Sequence, residues 1–210
     1  MRTPFAAEYL VPHPDKTPES LDMGAVEGLK LRYFPDEILK KVCEPVAEYN
    51  DEVKQLAKNM ILTMMLEKGI GLAAPQVGHL LRIFVVDISW VNNVYEADPH
   101  VFINPEIELV GEDMIVRPEG CLSFPSGSAK IKRHVSVRVK HLNLEGMETV
   151  TEADGLLARV IQHEKDHLDG KTIQKDLSSF DLGNVRVRIK EKLRKVSNEA
   201  KPRPRNSRRY

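Results

Sequence analysis

The chain has 210 residues, with 31 Lys and Arg against 31 Asp and Glu, so its formal net charge is zero. This length suits one globular domain, and a composition of 41% apolar and 30% charged residues excludes a disordered chain. No apolar run approaches the roughly 18–20 residues that span a bilayer, and balanced charge argues against a protein whose whole surface binds nucleic acid.

Residues 1–28 hold four of the thirteen prolines and five acidic residues, without the continuous apolar stretch of a signal peptide. This pattern predicts a flexible N-terminal extension on a cytoplasmic protein. The chain has only two cysteines, Cys43 and Cys121, which fits a reducing compartment and is too few for a disulfide framework.

The first periodic segment, residues 51–68, predicts an amphipathic helix. Asn50 or Asp51 can cap its N-terminus, and Gly69 can end it. Its apolar positions follow helical spacing: Val53, Leu56, Ala57, Met60, Ile61 and Met64.

Strands are predicted next. Residues 82–89 are short, apolar and β-branched, which is typical of a buried strand, and residues 101–110 predict a second strand, broken by Pro105. Residues 134–142 alternate apolar and polar side chains, and a turn at 143–146 leads into 147–152. This pair predicts an antiparallel hairpin with one face in water.

Two more helices complete the prediction. One begins after Thr151, whose hydroxyl can cap it while Asp154 lies three residues later, and ends at Gly170. The other covers 181–197. Strands interleaved with few helices indicate an α+β fold.

The helix predicted between Thr151 and Gly170 contains His163-Glu164-Lys165-Asp166-His167. Helical residues four apart lie on one face, so both imidazoles can reach one metal ion, with Glu164 placed to move a proton on a bound water. The alternative is a solvated helix face with a chance motif. Such an H-E-x-x-H arises by chance on the order of once in a hundred chains of this length.

A catalytic metal site needs a third protein ligand. The best candidate is Cys121, in a segment flanked by Gly and Pro that can bring its thiolate to the helix, whereas Cys43 is interpreted as a buried hydrophobe. The other five histidines are interpreted as structural or surface residues. In residues 69–76, glycines allow close backbone approach and Gln76 offers an amide donor, although alone this segment predicts only a helix C-cap and a connection.

Together these segments resemble peptide deformylases. The family motifs G-x-G-L-A-A-x-Q, E-G-C-L-S and H-E-x-D-H match GIGLAAPQ at 69–76, EGCLS at 119–123 and HEKDH at 163–167, in order and without a mismatch. The resemblance extends from Leu29 to the end of the third predicted helix.

The resemblance implies a metal-dependent hydrolase that removes the N-terminal formyl group from formyl-methionyl nascent peptides and releases formate. Cys121, His163 and His167 would ligate one divalent ion, natively Fe²⁺, with Zn²⁺ or Ni²⁺ as substitutes. Glu164 would transfer the proton.

Further roles follow from the same resemblance. The Gln76 amide and the Leu122 backbone N–H would stabilise the oxyanion. The methionine pocket would include Ile70, Leu156 and Val160, and His163 would form part of its wall. The Gly71 backbone would bind the substrate main chain. Glu119 and Arg133 match a charged pair that would brace the cysteine loop, with a surface ion pair as the alternative.

Some features depart from the family pattern. Arg159 is charged where some members have an aliphatic residue at the pocket rim, and the loop 126–130 falls in a variable region. Residues 90–100 are interpreted as a modest surface insertion.

The predicted architecture is therefore α+β, with mixed or antiparallel strands packed around a central metal-binding helix, a C-terminal helix and a basic tail. Its parts are an extension at 1–28, a catalytic domain at 29–197 and a basic disordered tail at 198–210. Residues 186–210 carry a net charge of +9 and the rest of the chain −9. The tail is either a solubilising end or a segment that binds ribosomal RNA.

Two other functions stay open. A metallopeptidase of the H-E-x-x-H class would need a downstream Glu or His ligand, and only aspartates, at 169, 176 and 181, lie between His167 and the basic C-terminal segment. A non-catalytic module with a structural site would need a fourth ligand, and none is evident near the motifs.

Overall fold

The computed structural model describes residues 25–92 and 97–199, so most of the predicted N-terminal extension, part of the predicted insertion and most of the predicted basic tail lie outside the described residues. Its helices are α1 (Asp51–Leu66), α2 (Gly155–Leu168) and α3 (Ser179–Glu199). Five strands form one sheet in the order β1-β2-β3-β4-β5, and every pair of neighbours is antiparallel. The strands are β1 (Gly71–Ala73), β2 (Ile83–Val86), β3 (His100–Glu119), β4 (Ala129–Leu142) and β5 (Glu148–Asp154).

Helix α1 forms as its periodicity predicts. The Asn50 side chain accepts a hydrogen bond from the Val53 N–H at 3.0 Å, which caps the helix. At the other end the Gly69 N–H donates to the Met64 carbonyl at 2.9 Å, so the chain turns away two residues earlier than the predicted end at Lys68.

The inner strands lie between α1 and α2. Ile83 and Val85 of β2 pack into the cluster that contains α1, whereas Phe84 and Val86 pack on the other face with residues of α2. Burial on both faces explains why this segment is continuously apolar. In β4 the alternation holds instead, since Val137 and Val139 are buried and Arg138 and Lys140 are exposed.

Strand β3 is twice as long as predicted. The pairing with β4 shifts register between Ile103 and Glu106, around Pro105, which has no N–H to donate. It shifts again between Val110 and Met114 and then continues to Glu119. Pro105, predicted to break a strand of ten residues, therefore marks an irregularity inside a longer continuous strand. This extension carries the chain up to Cys121.

The predicted start of α2 is wrong. Thr151 lies in β5, paired with Val139, and the helix begins at Gly155. Thr151 pairs within the β4–β5 hairpin, so it does not cap the helix. Helix α3 begins at Ser179, two residues before its predicted start, and the Ser178 hydroxyl accepts from the Asp181 N–H at 3.1 Å.

The connection predicted after α1 contains a strand. Residues 71–73 pair with Val86, Val85 and Phe84 as β1, a short edge strand. At the other end of the chain, Val185 and Ile189 of α3 pack with Phe34 and Phe124. No helix within the described ranges combines the length and the apolar character needed to cross a membrane.

Candidate metal centre

Three predicted ligands meet at one point. Cys121 lies in the turn after β3, and His163 and His167 lie one helical turn apart on α2. One ligand atom of each lies within 4.8 Å of the others, and Cys121 Sγ is 3.2 Å from His167 Nε2. Within residues 25–92 and 97–199 this is the one group of His, Cys, Asp and Glu that could hold a metal ion.

A buried ionic network supports the first histidine. Glu119 Oε2 lies 3.0 Å from His163 Nδ1, which leaves Nε2 as the ring nitrogen that can coordinate a metal ion. Arg133 donates two hydrogen bonds to Glu119 at 3.0 and 3.1 Å and one to Asp166 at 2.6 Å. Glu119 and Arg133 are each 8% exposed, so the alternative of a surface ion pair does not describe them.

Burial and neighbouring charges shift the pKa values of Glu119 and His167. Burial alone would raise the pKa of Glu119, but its hydrogen bonds with His163 and Arg133 outweigh this and lower it to about 2. Burial lowers the pKa of His167 well below its ordinary value, and the neighbouring His163 and Arg133 act in the same direction. His167 is thereby held neutral, as a metal ligand must be.

Glu164 differs from Glu119. It is 3% exposed, its Oε2 has no hydrogen-bond partner among the described residues, and burial raises its pKa to about 7. Its carboxylate packs against Gly71 so closely that a Cβ at that position would overlap it. A buried, unpartnered carboxyl group beside the three ligands can exchange a proton with a molecule that enters the site.

Gln76 is held in one orientation. Its Oε1 accepts from the Ala73 N–H at 2.8 Å, so its Nε2 points toward Ser123 Oγ at 3.2 Å and Cys121 Sγ at 3.4 Å. The Leu122 N–H makes no hydrogen bond within the described part of the chain. Two N–H donors therefore lie beside the predicted ligands.

A cavity of about 390 Å³ opens onto this cluster. Arg133 and His167 are not part of its lining. Arg159 lines the cavity and is half-buried. The other predicted residues all line it: Ile70, Gly71, Gln76, Glu119, Cys121, Leu122, Leu156, Val160, His163 and Glu164.

The sequence analysis missed several residues. Asp166, inside the HEKDH motif, had no assigned role, yet it receives a hydrogen bond from Arg133 on β4. Ser123 is fully buried and lies beside the Gln76 amide. Lys192 on α3 reaches the cavity, and no local pattern relates it to the motifs.

The chain matches known proteins over most of its length. The family model described as "Polypeptide deformylase" matches residues 29–182. A peptide deformylase of Acinetobacter baumannii (strain SDF) is 42% identical over 168 residues, which cover 80% of this chain and 91% of that protein. Peptide deformylase 1 of Clostridium perfringens (strain 13 / Type A) is 49% identical over 141 residues, 67% of this chain and 91% of its own.

Solved structures agree with these matches. A peptide deformylase from Legionella pneumophila superposes with a TM-score of 0.70 at 34% identity, over 84% of this chain and all of that one. A peptide deformylase from Ehrlichia chaffeensis, in complex with actinonin, gives 0.71 at 33% identity, over 79% of this chain and 98% of the other. The α+β architecture with an antiparallel sheet is thus shared.

Proposed function

The chain belongs to the polypeptide deformylase family, and from this membership we infer that it is a hydrolase that removes the N-terminal formyl group from nascent peptides. The products are formate and a free N-terminal amine. The observation that supports this most strongly is the cluster of three ligand atoms within 4.8 Å of one another, beside a buried glutamate at the closed end of the cavity.

We propose that Cys121, His163 and His167 hold one divalent ion, natively Fe²⁺, with Zn²⁺ or Ni²⁺ able to replace it. One soft thiolate with two imidazoles suits all three ions, and the neutral state of His167 favours coordination. When bound, the ion polarises the formyl carbonyl and makes a water molecule a stronger nucleophile near neutral pH. In this proposal α2 is the central metal-binding helix of the fold.

Glu164 is the proposed proton carrier. Its carboxylate takes a proton from the attacking water and delivers it to the departing amine nitrogen, which leaves as the free N-terminus. Burial supports this role because it raises the pKa of the Glu164 carboxyl group to about 7, so that the group can release and accept a proton near neutral pH.

Gln76 Nε2 and the Leu122 N–H are the proposed donors to the oxyanion. The hydrogen bond from the Ala73 N–H to Gln76 Oε1 supports this because it aims the other end of the amide at the cluster before substrate arrives. A donor oriented in advance needs no reorganisation as negative charge develops.

The substrate's methionine is proposed to enter between Ile70, Leu156 and Val160, with His163 completing the wall. These side chains line the cavity, and each buried CH₂ group of the ligand contributes about 0.8 kcal/mol. Gly71 is proposed to bind the substrate main chain, since the space around it excludes a Cβ.

Glu119 and Arg133 are proposed positioning residues. Arg133 fixes Glu119, and Glu119 fixes the ring of His163, so the pair joins the end of β3 to α2 behind the cysteine turn. Asp166 completes this brace on α2.

The wider assignments are proposals as well. The catalytic domain is assigned to residues 29–197, with an extension at 1–28 and a basic tail at 198–210. Two free cysteines support a cytoplasmic location. The basic C-terminal segment is proposed to bind the ribosome near emerging formylated chains.

The test is anaerobic purification, elemental analysis and a formate-release assay on formyl-methionyl peptides. We expect one metal ion per chain and release of formate from formylated peptides, with unformylated peptides left intact. Cleavage of unformylated peptides would favour a metallopeptidase. Stoichiometric metal without turnover would favour a structural site, although the described residues supply no fourth ligand.

A further inference from the structure

The open end of the cavity is bordered by cations. The two carboxylates in the lining, Glu119 and Glu164, are 8% and 3% exposed and lie at the closed end. Lys68 is exposed, and Arg159 is half-buried at the same opening. Lys192 of α3 is the third cation of this rim, which consists of Lys68, Arg159 and Lys192.

Only one of these charges is neutralised within the described ranges. Lys192 Nζ lies 2.6 Å from Glu67 Oε2, and both side chains are about one-third exposed. Lys68 and Arg159 form no ion pair with any residue of 25–92 or 97–199. Two uncompensated positive charges are therefore available to the part of a bound peptide that extends out of the cavity.

The chain places both charges outward from the reacting centre. Arg159 precedes His163 by four residues, so it lies on the same face of α2, about 6 Å nearer the N-terminus of the helix. Lys68 precedes Gly71 by three residues, lines the same cavity and is exposed. A peptide whose first residue fills the closed end brings its second and third residues between these two side chains.

We propose that the rim selects formyl-methionyl peptides with an acidic residue at the second or third position, and that Lys68 and Arg159 determine this specificity. The proposal rests on the deformylase assignment, which puts the formyl-methionyl residue at the closed end. Exposed ion pairs favour their partners by up to about fivefold each and are weakened by salt. The effect is therefore a preference in kcat/KM rather than an absolute requirement.

The test compares formyl-Met-Ala-X and formyl-Met-X-Ala peptides, with X as Asp, Asn or Lys, by formate release. At about 20 mM salt we expect kcat/KM to fall in the order Asp, Asn, Lys, with Asp about three- to tenfold above Lys at the responsive position. At about 0.5 M salt the ratio should approach one because the Debye length falls to a few ångströms.

Substitutions test which side chains cause the preference for acidic peptides. In the double variant Lys68→Gln, Arg159→Gln the ratio of Asp to Lys peptides should fall toward one, whatever happens to the absolute rates. Glu67→Gln should raise the ratio, since it leaves Lys192 uncompensated. Lys132→Gln removes one exposed charge from β4, outside the cavity lining, and should leave the ratio unchanged.

Two results overturn the proposal while leaving the deformylase assignment in place. One is equal kcat/KM for the Asp and Lys peptides at low salt in the unmodified enzyme. The other is a ratio that persists in the double variant. Failure to release formate from every peptide overturns the assignment itself, and the proposal with it.

Discussion

Glu119 and Glu164 are two buried carboxyl groups of one site whose surroundings move their pKa values in opposite directions, to about 2 and about 7. The difference has a simple cause. Glu119 is hydrogen-bonded to Arg133 and His163, whereas Glu164 faces Gly71 and the cavity without such partners. A carboxylate that stays ionised can fix a histidine, and one that exchanges its proton near neutral pH can take part in the reaction.

Replacing Glu164 with alanine should abolish most activity without removing the metal. Loss of a positioned proton carrier typically costs about 10²–10⁴ in rate, and Glu164 is not one of the three ligands. The loss of activity is measured as kcat/KM for formate release, and the retained metal is measured by elemental analysis per chain. The matched variant Cys121→Ala should lose the metal instead. Near-normal turnover in Glu164→Ala would show that another group moves the proton.

Gln76→Ala should lower kcat about 10²–10³-fold, corresponding to about 2.7–4 kcal/mol of lost oxyanion stabilisation. The matched variant is Ser123→Ala, which keeps the Gln76 amide and its bond from Ala73 while removing one neighbour at 3.2 Å. We expect it to retain most activity, with KM little changed in both. Equal losses in the two variants would indicate that general disturbance of this buried pair, not the amide donor, determines the rate.

Among the helices and strands, the sequence predicted those features that depend on the spacing of nearby residues. Helix α1, its Asn50 cap and the alternation in β4 follow from spacing alone. The Cys/His₂ cluster followed from the motifs and the family resemblance, because each motif is contiguous. Thr151 was misassigned because its hydroxyl suits a cap equally well, and only pairing with Val139 decides for a strand.

Long-range contacts were the part that local patterns could not supply. Strand β1 exists only because β2 pairs with it, and β3 continues past Pro105 only because β4 pairs with it again from Glu106. Likewise, Lys192 reaches the cavity because α3 packs there, more than sixty residues after β3 ends. Such contacts depend on the assembled sheet rather than on the spacing of residues.

Arg133 ties β4 to α2, so Arg133→Met should destabilise the protein. Removing one partner of a buried ion pair leaves charges without compensation and typically costs about 3–5 kcal/mol. Denaturant unfolding checks this, and metal affinity should fall as His163 loses its fixed orientation. Arg138→Met, on the wet face of the same strand beside Glu108 and Glu152, is the control and should change stability little. Equal effects of the two substitutions would contradict a special role for the buried brace.

At the scale of the whole molecule, zero net charge conceals a segregation of charge. Residues 186–210 carry +9 and the rest of the chain −9. The described part of this segment belongs to α3, where most side chains of 186–196 are exposed, while Val185 and Ile189 anchor the helix to the core. A basic segment tethered to a folded domain can bind phosphates without contributing to the chemistry.

Deleting residues 200–210 should therefore separate binding from catalysis. The deletion removes five Lys and Arg residues, all beyond the helix α3 that packs on the domain. We expect kcat/KM on short formylated peptides to stay unchanged, while binding to ribosomes weakens and loses up to about four units of its slope against log salt. Cosedimentation with ribosomes across a salt series measures this. A control that replaces the five cations with glutamine keeps the length of the tail and should reproduce the loss, since the phosphates recognise charge rather than chain length. Ribosome binding that stays salt-sensitive and unaltered in both variants would leave the tail as a solubilising end.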